Sequence, residues 1–298
     1  MKLFVPAFAT IAFASIGACD PGPVEDNDED FWPGAEIHAP FAESELRARK
    51  LADGTVVEYR VVDGEVVIGG DMLYGPVDEF ERKLAESTSF LVAKDHARWK
   101  MPIRYTFDND TPEATKDAVA QAMDRLVAQS GADIRFQRCT GSCPVPRIKF
   151  DYDGQGCSSP VGRQALGNKI HLDTWCNGIS SSSTVRDREI VVIMHEIMHS
   201  LGVQHEQTRC DRNNHVTVFK KNIDTKLCGK ANITARHCSR HDDLGSYDFD
   251  SVMHYSSTAC AKPGKRTIDS GSASKNARMG QRSSLSTGDR AGLRAMYP

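Results

Sequence analysis

The sequence predicts an α+β fold in two lobes: a mixed, twisted sheet with helices in the upper lobe, and an irregular lower lobe linked by disulfides. Short apolar segments of strand length alternate with helical patterns between residues 103 and 201. Periodicity is lost after Gly202, where turn residues and cysteines become frequent. We therefore expect regular structure before Gly202 and the irregular lobe after it.

The upper lobe is expected to begin with a strand, IRYTF at residues 103–107, followed by a helix. Thr111 is the predicted N-cap of this helix and Pro112 its first residue. Apolar residues at helical spacing predict its core face, namely Val119, Ala122, Met123, Leu126 and Val127. Further strands are predicted at residues 134–137, 148–152 and 169–172.

A second helix completes the upper lobe. Apolar residues recur at the i, i+3, i+4 period, namely Ile190, Ile193, Met194, Ile197, Met198 and Leu201. Thr184 followed by Asp187 predicts a capped start. Gly202 can adopt the positive φ that ends a helix, so the helix is expected to stop there.

The most informative stretch reads HEIMHSLGVQHE and ends this helix. His195 and His199 are four residues apart, so both imidazoles lie on one helix face and can reach one metal ion. A turn after the helix allows His205 to supply a third nitrogen. Three imidazoles with an open position are typical of a catalytic zinc site, where Glu196 is the natural general base. The sequence therefore predicts one zinc ion per chain.

A second motif, SVMHY at residues 251–255, follows downstream. The extended zinc pattern is typical of zincins that have a methionine-containing turn beneath the ligands. Met253 is therefore predicted to pack under the metal, and Tyr255 to point its phenol at it. Without the zinc pattern, this motif would more often be an ordinary edge strand.

These motifs and their surroundings resemble the astacin family of metzincin endopeptidases. The segment HEQTRCDR is similar to the family's HEQxRxDR continuation. Upstream, WKMPIRYTFD resembles the start of the mature domain and GCSSPVGR its cysteine-bearing strand and loop. Downstream, QRSSLSTGDRAGLRAMY resembles the closing segment, so the resemblance covers about residues 91–298.

The resemblance implies functions for the residues of the metal site. His195, His199 and His205 would be the zinc ligands, and Glu196 the base that activates water for peptide hydrolysis. Tyr255 would be a fifth ligand that swings away to stabilise the oxyanion.

The resemblance also implies structural roles around the site. Met253 would be the Met-turn residue, and Glu206 would bond through water to the new N-terminus after activation. Cys157 and Cys176 would form a disulfide.

The N-terminus resembles a targeting segment, with Lys2 followed by an apolar run, and residues 1–18 are interpreted as a signal peptide. The run is too short to span a membrane comfortably. The segment IGAC resembles a bacterial lipobox, in which Cys19 would be lipidated; a plain secretory signal is the alternative. Residues 19–35 are acidic and rich in Pro and Gly, which is typical of a tether. We thus expect an exported protein, either secreted or a cell-envelope lipoprotein.

Residues 36–90 are interpreted as a propeptide. Alternating apolar residues on both sides of Asp63 and Gly64 predict a hairpin. The hairpin is followed by IGGD, which differs in two positions from the FEGD motif of astacin propeptides but keeps Gly70 and Asp71. The resemblance implies that Asp71 binds the zinc in place of water and keeps the enzyme latent; a simple Gly/Asp turn is the alternative.

Charge gives weaker support for a propeptide. Residues 20–90 carry 18 acidic and 6 basic side chains, a net charge of −12, whereas residues 91–298 carry 22 acidic and 30 basic ones, a net charge of +8. An acidic segment laid along a basic domain is electrostatically favourable. Charge asymmetry that serves solubility alone is the competing interpretation.

The chain has nine cysteines. Assigning Cys19 to lipid leaves eight, which suits four disulfides in an oxidising compartment. Cys139 and Cys143 are close enough in sequence for a local bridge, while the remaining pairings stay open. A competing interpretation places a second metal site in the RHCSRHDD segment at residues 236–243.

The expected partners are a protein or peptide substrate and an activating protease, while no motif indicates nucleic acid. The mature N-terminus is expected near Phe90, and the nearest dibasic site is Arg82–Lys83. A zinc-stabilised, non-catalytic surface binding protein is the alternative function. Loss of Glu196 or of a ligand would favour that alternative, and the sequence retains all of them.

Overall fold

A computed structural model describes residues 44, 46–50, 56–85, 98–152, 156–173, 176, 180–227, 233–234 and 243–298. These residues belong to one compact unit, residues 33–298. Several predicted features lie outside the described residues: the signal peptide and tether, Cys19, Phe90, Cys228, Cys238 and most of the segment proposed as a second metal site.

The N-terminal part is an antiparallel meander packed on one helix. Its elements are β1 (Leu46–Lys50), β2 (Val56–Val62), β3 (Glu65–Ile68), β4 (Met72–Pro76) and helix α1 (Val77–Ala85). The predicted hairpin is confirmed, because β2 and β3 pair through a two-residue turn in which Asp63 and Gly64 have φ of 47° and 81°. A small core lies between meander and helix, where the Tyr59 and Phe80 rings are 5.1 Å apart.

The next part of the chain carries a parallel sheet and two long helices. Its elements are β5 (Ile103–Phe107), α2 (Glu113–Ser130), β6 (Phe136–Arg138), β7 (Ile148–Asp151), β8 (Ser159–Pro160), β9 (Asn168–His171) and α3 (Ser183–Leu201). The strand order is β6-β5-β7-β9, with every pair parallel. An antiparallel bridge between Ser158 and His171 adds the mixed character that the sequence predicts. The α+β class is confirmed.

The two sheets meet along one short strand. β4 pairs in parallel with β8, with Met72 opposite Ser159 and Leu73 opposite Pro160. The Ser159 amide also donates to the main-chain carbonyl of Asp71, at 2.9 Å. This pairing fixes the end of the meander against the part of the molecule that holds α3.

The starts of both long helices differ from their predicted positions. The N-cap of α2 is Pro112, whose ψ of 146° is not helical, so Thr111 does not cap it. The Thr111 hydroxyl is buried and has no hydrogen-bond partner in the described part of the chain. The N-cap of α3 is Ser182 and not Thr184, because the first helical hydrogen bond already runs from the Arg186 amide to the Ser182 carbonyl.

The predicted end of α3 is confirmed. Gly202 has φ of 106°, and its amide donates to the carbonyls of His199 and Met198. Every residue from 189 to 201 is buried, so α3 passes through the main core. A helix surrounded by protein holds its side chains in fixed positions, which a metal site requires.

The region after Gly202 is largely irregular, as the sequence predicts, but it ends in a helix whose Leu293 lies in the main core. The described residues of this region form three short 3₁₀ helices (Glu206–Thr208, Cys210–Asn214, Lys220–Asn222), β10 (Thr217–Val218), β11 (Ile268–Asp269), α4 (Ala273–Arg278) and α5 (Thr287–Met296). Disulfides join Cys139 to Cys143 and Cys157 to Cys176, and Cys210 and Cys260 are also disulfide-bonded. Among the described residues, no helix is both long and apolar enough to cross a membrane.

Two glycine-to-alanine changes should shift stability in opposite directions. Gly131 ends α2 with φ of 62°, and an added Cβ would meet no atom within 4 Å. Gly131→Ala should therefore lower the free energy of unfolding by about 1 kcal/mol, the cost of the left-handed conformation alone. Gly292 lies inside α5, also with open space around it, and Gly292→Ala should stabilise by about 0.5–1 kcal/mol. Urea unfolding without reductant measures both; shifts of the same sign would contradict this interpretation.

Candidate metal centre

Three histidine side chains meet at the end of α3. His195 and His199 lie one turn apart on this helix, with ring centroids 4.6 Å apart. The chain reverses at Gly202 and brings His205 back to them, so that its Nε2 lies 3.2 Å from that of His199 and 3.3 Å from that of His195. All three side chains are buried.

Hydrogen bonds orient two of these rings. His195 Nδ1 lies 2.8 Å from the Val252 carbonyl, and His199 Nδ1 lies 2.8 Å from the Val203 carbonyl. Because a carbonyl oxygen can only accept, each Nδ1 carries the proton and donates it. The Nε2 lone pairs therefore face the common centre, as they do in metal-ligating histidines.

Asp71 is the fourth member of the group. Its Oδ2 lies 3.3 Å from His195 Nε2 and 3.2 Å from His205 Nε2, while its Oδ1 lies 3.5 Å from His199 Nε2. One ligand atom from each of the four residues lies within 4.8 Å of all the others.

The donor set fits a zinc ion. Tetrahedral ligands held 2.0–2.1 Å from zinc are roughly 3.3 Å from one another, which agrees with the separations between these atoms. Three neutral nitrogens and one carboxylate are also ligands that zinc prefers. The centre could therefore hold one zinc ion.

Protonation favours the same arrangement. Burial alone would raise the pKa of the Asp71 carboxyl, but the charge interaction with His205 and hydrogen bonds from the three imidazoles hold it well below its ordinary value. Burial lowers the pKa of His195 to about 3 and also lowers that of His205, although Asp71 opposes both shifts. Near neutral pH these shifts favour a charged Asp71 carboxylate beside neutral His195 and His205 rings.

Glu196 lies on α3 beside the centre. Its side chain is buried, and its Oε2 has no hydrogen-bond partner among the described residues. Burial raises the pKa of this carboxyl well above its ordinary value, the charge of Asp71 raises it further, and Arg282 acts in the opposite direction. A buried carboxyl with a raised pKa and a free oxygen is suited to exchanging protons with a neighbouring group.

Met253 and Tyr255 lie on a turn at residues 251–255, where the sequence predicts a methionine-containing turn. Met253 is buried in the main core together with residues of α3. The Tyr255 ring packs on His205, with centroids 4.6 Å apart, and its hydroxyl donates to the carbonyl of Gly69, two residues before Asp71. The N-terminal meander thus contacts both the histidine cluster and this tyrosine.

Glu206 lies in the lower lobe directly after His205. Its Oε1 accepts from the Asp248 amide at 2.8 Å and lies 3.4 Å from the Arg209 Nε. Burial raises its pKa to about 8, although the Asp248 hydrogen bond and Arg209 lower it. The residues near the expected mature N-terminus lie outside the described part of the chain.

One residue that shapes the site was not identified from the sequence. Asp289, at the start of α5, accepts from the Ser251 hydroxyl at 2.6 Å and from the Val252 amide at 3.0 Å. It thereby fixes the turn whose Val252 carbonyl orients His195. The Ser286–Asp289 capping box was a visible signal for the helix start, but not for this second function.

Comparisons with known proteins agree with this geometry. The sequence is 29% identical over 212 residues to the zinc metalloproteinase nas-13 of Caenorhabditis elegans, covering 69% of this chain and 42% of that protein. It is 28% identical over 244 residues to meprin A subunit beta of Rattus norvegicus, covering 81% of this chain and 31% of that protein. The chain thus spans less than half the length of these two curated relatives.

A solved structure shares the fold. High choriolytic enzyme 1, a hatching enzyme zinc-protease from the medaka fish Oryzias latipes, superposes with a TM-score of 0.55 at 25% identity, covering 67% of this chain and 94% of that one. The sequence model of the astacin family, Peptidase family M12A, matches residues 91–298. The chain therefore belongs to the astacin family.

Proposed function

We propose that this chain is a zinc-dependent endopeptidase that is made as a latent precursor. The convergence of three imidazole nitrogens next to Glu196, whose carboxyl oxygen has no hydrogen-bond partner among the described residues, carries this proposal. Family membership supports it, because relatives of this chain are zinc metalloproteinases by name. Residues 91–298 would form the peptidase domain and residues 36–90 the propeptide.

Each side chain of the site has one role in the proposed mechanism. His195, His199 and His205 would hold the zinc, which when bound polarises a peptide carbonyl and lowers the pKa of water toward about 7. Glu196 would take a proton from the attacking water and deliver it to the nitrogen of the leaving amine. Tyr255 would be a fifth ligand at rest, and its hydroxyl would swing away to donate a hydrogen bond to the developing oxyanion.

The N-terminal meander would keep this machinery inactive. The Asp71 carboxylate lies where a substrate or water would approach the histidines, within 3.2–3.5 Å of their Nε2 atoms. The Gly69 carbonyl engages the Tyr255 hydroxyl, which would then be unable to donate to an oxyanion. Pairing of β4 with β8 holds both groups in place, so removal of residues up to about 90 would free the centre.

The N-terminal segments would also determine where the protein is located. Residues 1–18 would direct export, Cys19 would carry a lipid, and residues 19–35 would tether the protein to the cell envelope. Lipid and propeptide lie on the same side of the activating cut near residues 82–97. Activation by another protease would therefore also release the enzyme from the membrane. A peptidase domain that stays on the membrane after complete processing would refute this release.

Zinc should stabilise the fold as well as enable hydrolysis. The purified chain should contain one zinc per molecule, and a chelator should lower its melting temperature, because a ligand that binds only the folded state stabilises that state. His199→Ala should prevent zinc binding, while His215→Ala, a change of a histidine in the lower lobe, should leave one zinc per chain. Equal zinc content in both variants would contradict the assigned site.

The general base can be tested by an isosteric change. In protein cut between residues 82 and 97, Glu196→Gln should lower kcat on casein at least about 100-fold while zinc content stays at one per chain. Glu189→Gln on the same helix is the matched control, because Gln can still accept from the Ser180 amide, and it should keep most of the activity. If no cut form hydrolyses any of a varied peptide panel, the non-catalytic binding protein becomes the better interpretation.

Latency should depend on the Asp71 charge. Uncut Asp71→Asn protein should hydrolyse casein at least about tenfold faster than uncut wild type, since a neutral amide is a weaker zinc ligand than a carboxylate. Asp63→Asn makes the same chemical change at the hairpin turn, where Asn tolerates the φ of 47°, and should stay latent. The proposal fails if uncut Asp71→Asn protein is as inactive as uncut wild type.

A further inference from the structure

The main chain of Tyr255 has no regular secondary structure to hold it. Residues 251–255 form a turn in the core, outside every helix and strand. A group that must alternate between two positions needs a fixed base, because a displacement of about 1 Å at a reacting centre can cost about 100-fold in rate. In this structure, two polar side chains bond the peptide groups on either side of the Tyr255 Cα.

Gln207 holds the amide side. It lies in the 3₁₀ helix that follows His205, and its side chain is fully buried. Its Oε1 accepts from the Tyr255 amide at 3.0 Å. Its own carbonyl accepts from the Arg212 guanidinium at 3.0 Å, and that guanidinium also donates to the Ile233 carbonyl. The amide of Tyr255 is thereby tied to the segment that carries a proposed zinc ligand.

His254 holds the carbonyl side. Its Nδ1 lies 2.6 Å from the Tyr255 carbonyl, and its Nε2 lies 2.7 Å from the Tyr247 hydroxyl. The carbonyl can only accept, so Nδ1 carries the proton, and Nε2 must accept from the phenol. The ring is fully buried, and Tyr247 is itself stacked on His215 at 4.7 Å. One tautomer of His254 is thus fixed by its two partners.

We propose that Gln207 and His254 are positioning residues that clamp the main chain of Tyr255. With both peptide groups held, the phenol can move only through its side-chain torsions. It can then alternate between the metal and the oxyanion without displacing the turn. This inference rests on the function proposed for Tyr255 and adds the two residues through which that function would be controlled.

The test uses substitutions that differ in one hydrogen bond. His254→Leu and His254→Asn both remove the acceptor for Tyr247, but only Asn keeps a donor at the place of Nδ1. Gln207→Met removes the acceptor for the Tyr255 amide at similar length, and it provides a second probe if His254→Leu does not fold. Tyr255→Phe is the reference for complete loss of the phenol.

Two measurements are made on protein cut between residues 82 and 97. Steady-state kinetics on one peptide give kcat and KM for the zinc form. The visible absorption of the Cu(II)-substituted form reports the bond between the Tyr255 phenolate and the metal, because that bond gives a charge-transfer band. The band measures tyrosine position independently of activity, and metal analysis confirms that the site is intact.

The clamp predicts a specific pattern. His254→Leu and Gln207→Met should lower kcat at least about tenfold with KM within about threefold, and should weaken or shift the copper band. His254→Asn should remain within about threefold of wild type in kcat and keep the band. Wild-type kcat and band in His254→Leu and Gln207→Met, or equal impairment in His254→Asn and His254→Leu, would overturn the clamp.

The reference variant separates the two proposals. Tyr255→Phe should abolish the copper band and lower kcat at least as much as the clamp variants. If Tyr255→Phe keeps wild-type kcat, or if cut wild type shows no band, the function proposed for Tyr255 is wrong and the clamp has nothing to position. If Tyr255→Phe behaves as expected and the clamp variants behave as wild type, only the clamp is wrong.

Discussion

Three imidazole nitrogens that face one another inside the protein impose the constraint on which the rest of this structure depends. Their Nε2 atoms are 3.2–3.3 Å apart for the two pairs involving His205, too close for neutral lone pairs to be satisfied by each other. Burying such acceptors without a partner is unfavourable, and a cation at their centre removes the penalty. The fold therefore has to hold the rings in place from outside and leave their nitrogens facing a position that a metal ion can occupy.

The surrounding contacts meet this requirement from three directions. The buried helix α3 supplies His195 and His199, and the turn at Gly202 returns the chain so that His205 joins them. Asp289 accepts a hydrogen bond from the Val252 amide and thereby holds the Val252 carbonyl, which orients His195. The N-terminal meander places Asp71 against the three rings through the pairing of β4 with β8. Under the proposed function, latency and hydrolysis would depend on the same buried centre.

The sequence predicted the parts of this arrangement that depend on local spacing. The interval of four residues between His195 and His199 and the position of Gly202 follow from helix geometry alone, and the structure places them as expected. The start of α3 could not be predicted, because the four serines before Thr184 have the same capping chemistry as Thr184. Contacts between distant segments were also out of reach: Gln207 and Tyr255 are 48 residues apart, and no periodic pattern connects them.

The ligands that surround the metal are the most direct test of this centre, and X-ray absorption at the zinc edge measures them in the uncut, full-length chain. Multiple scattering from imidazole rings counts histidine ligands, and the distances to the nearest neighbours separate nitrogen and oxygen ligands from sulfur. We expect four nitrogen or oxygen ligands, three of which are imidazoles, and the three imidazoles should be retained in Asp71→Asn protein. Fewer than three imidazoles, or a sulfur ligand, would contradict the assigned centre.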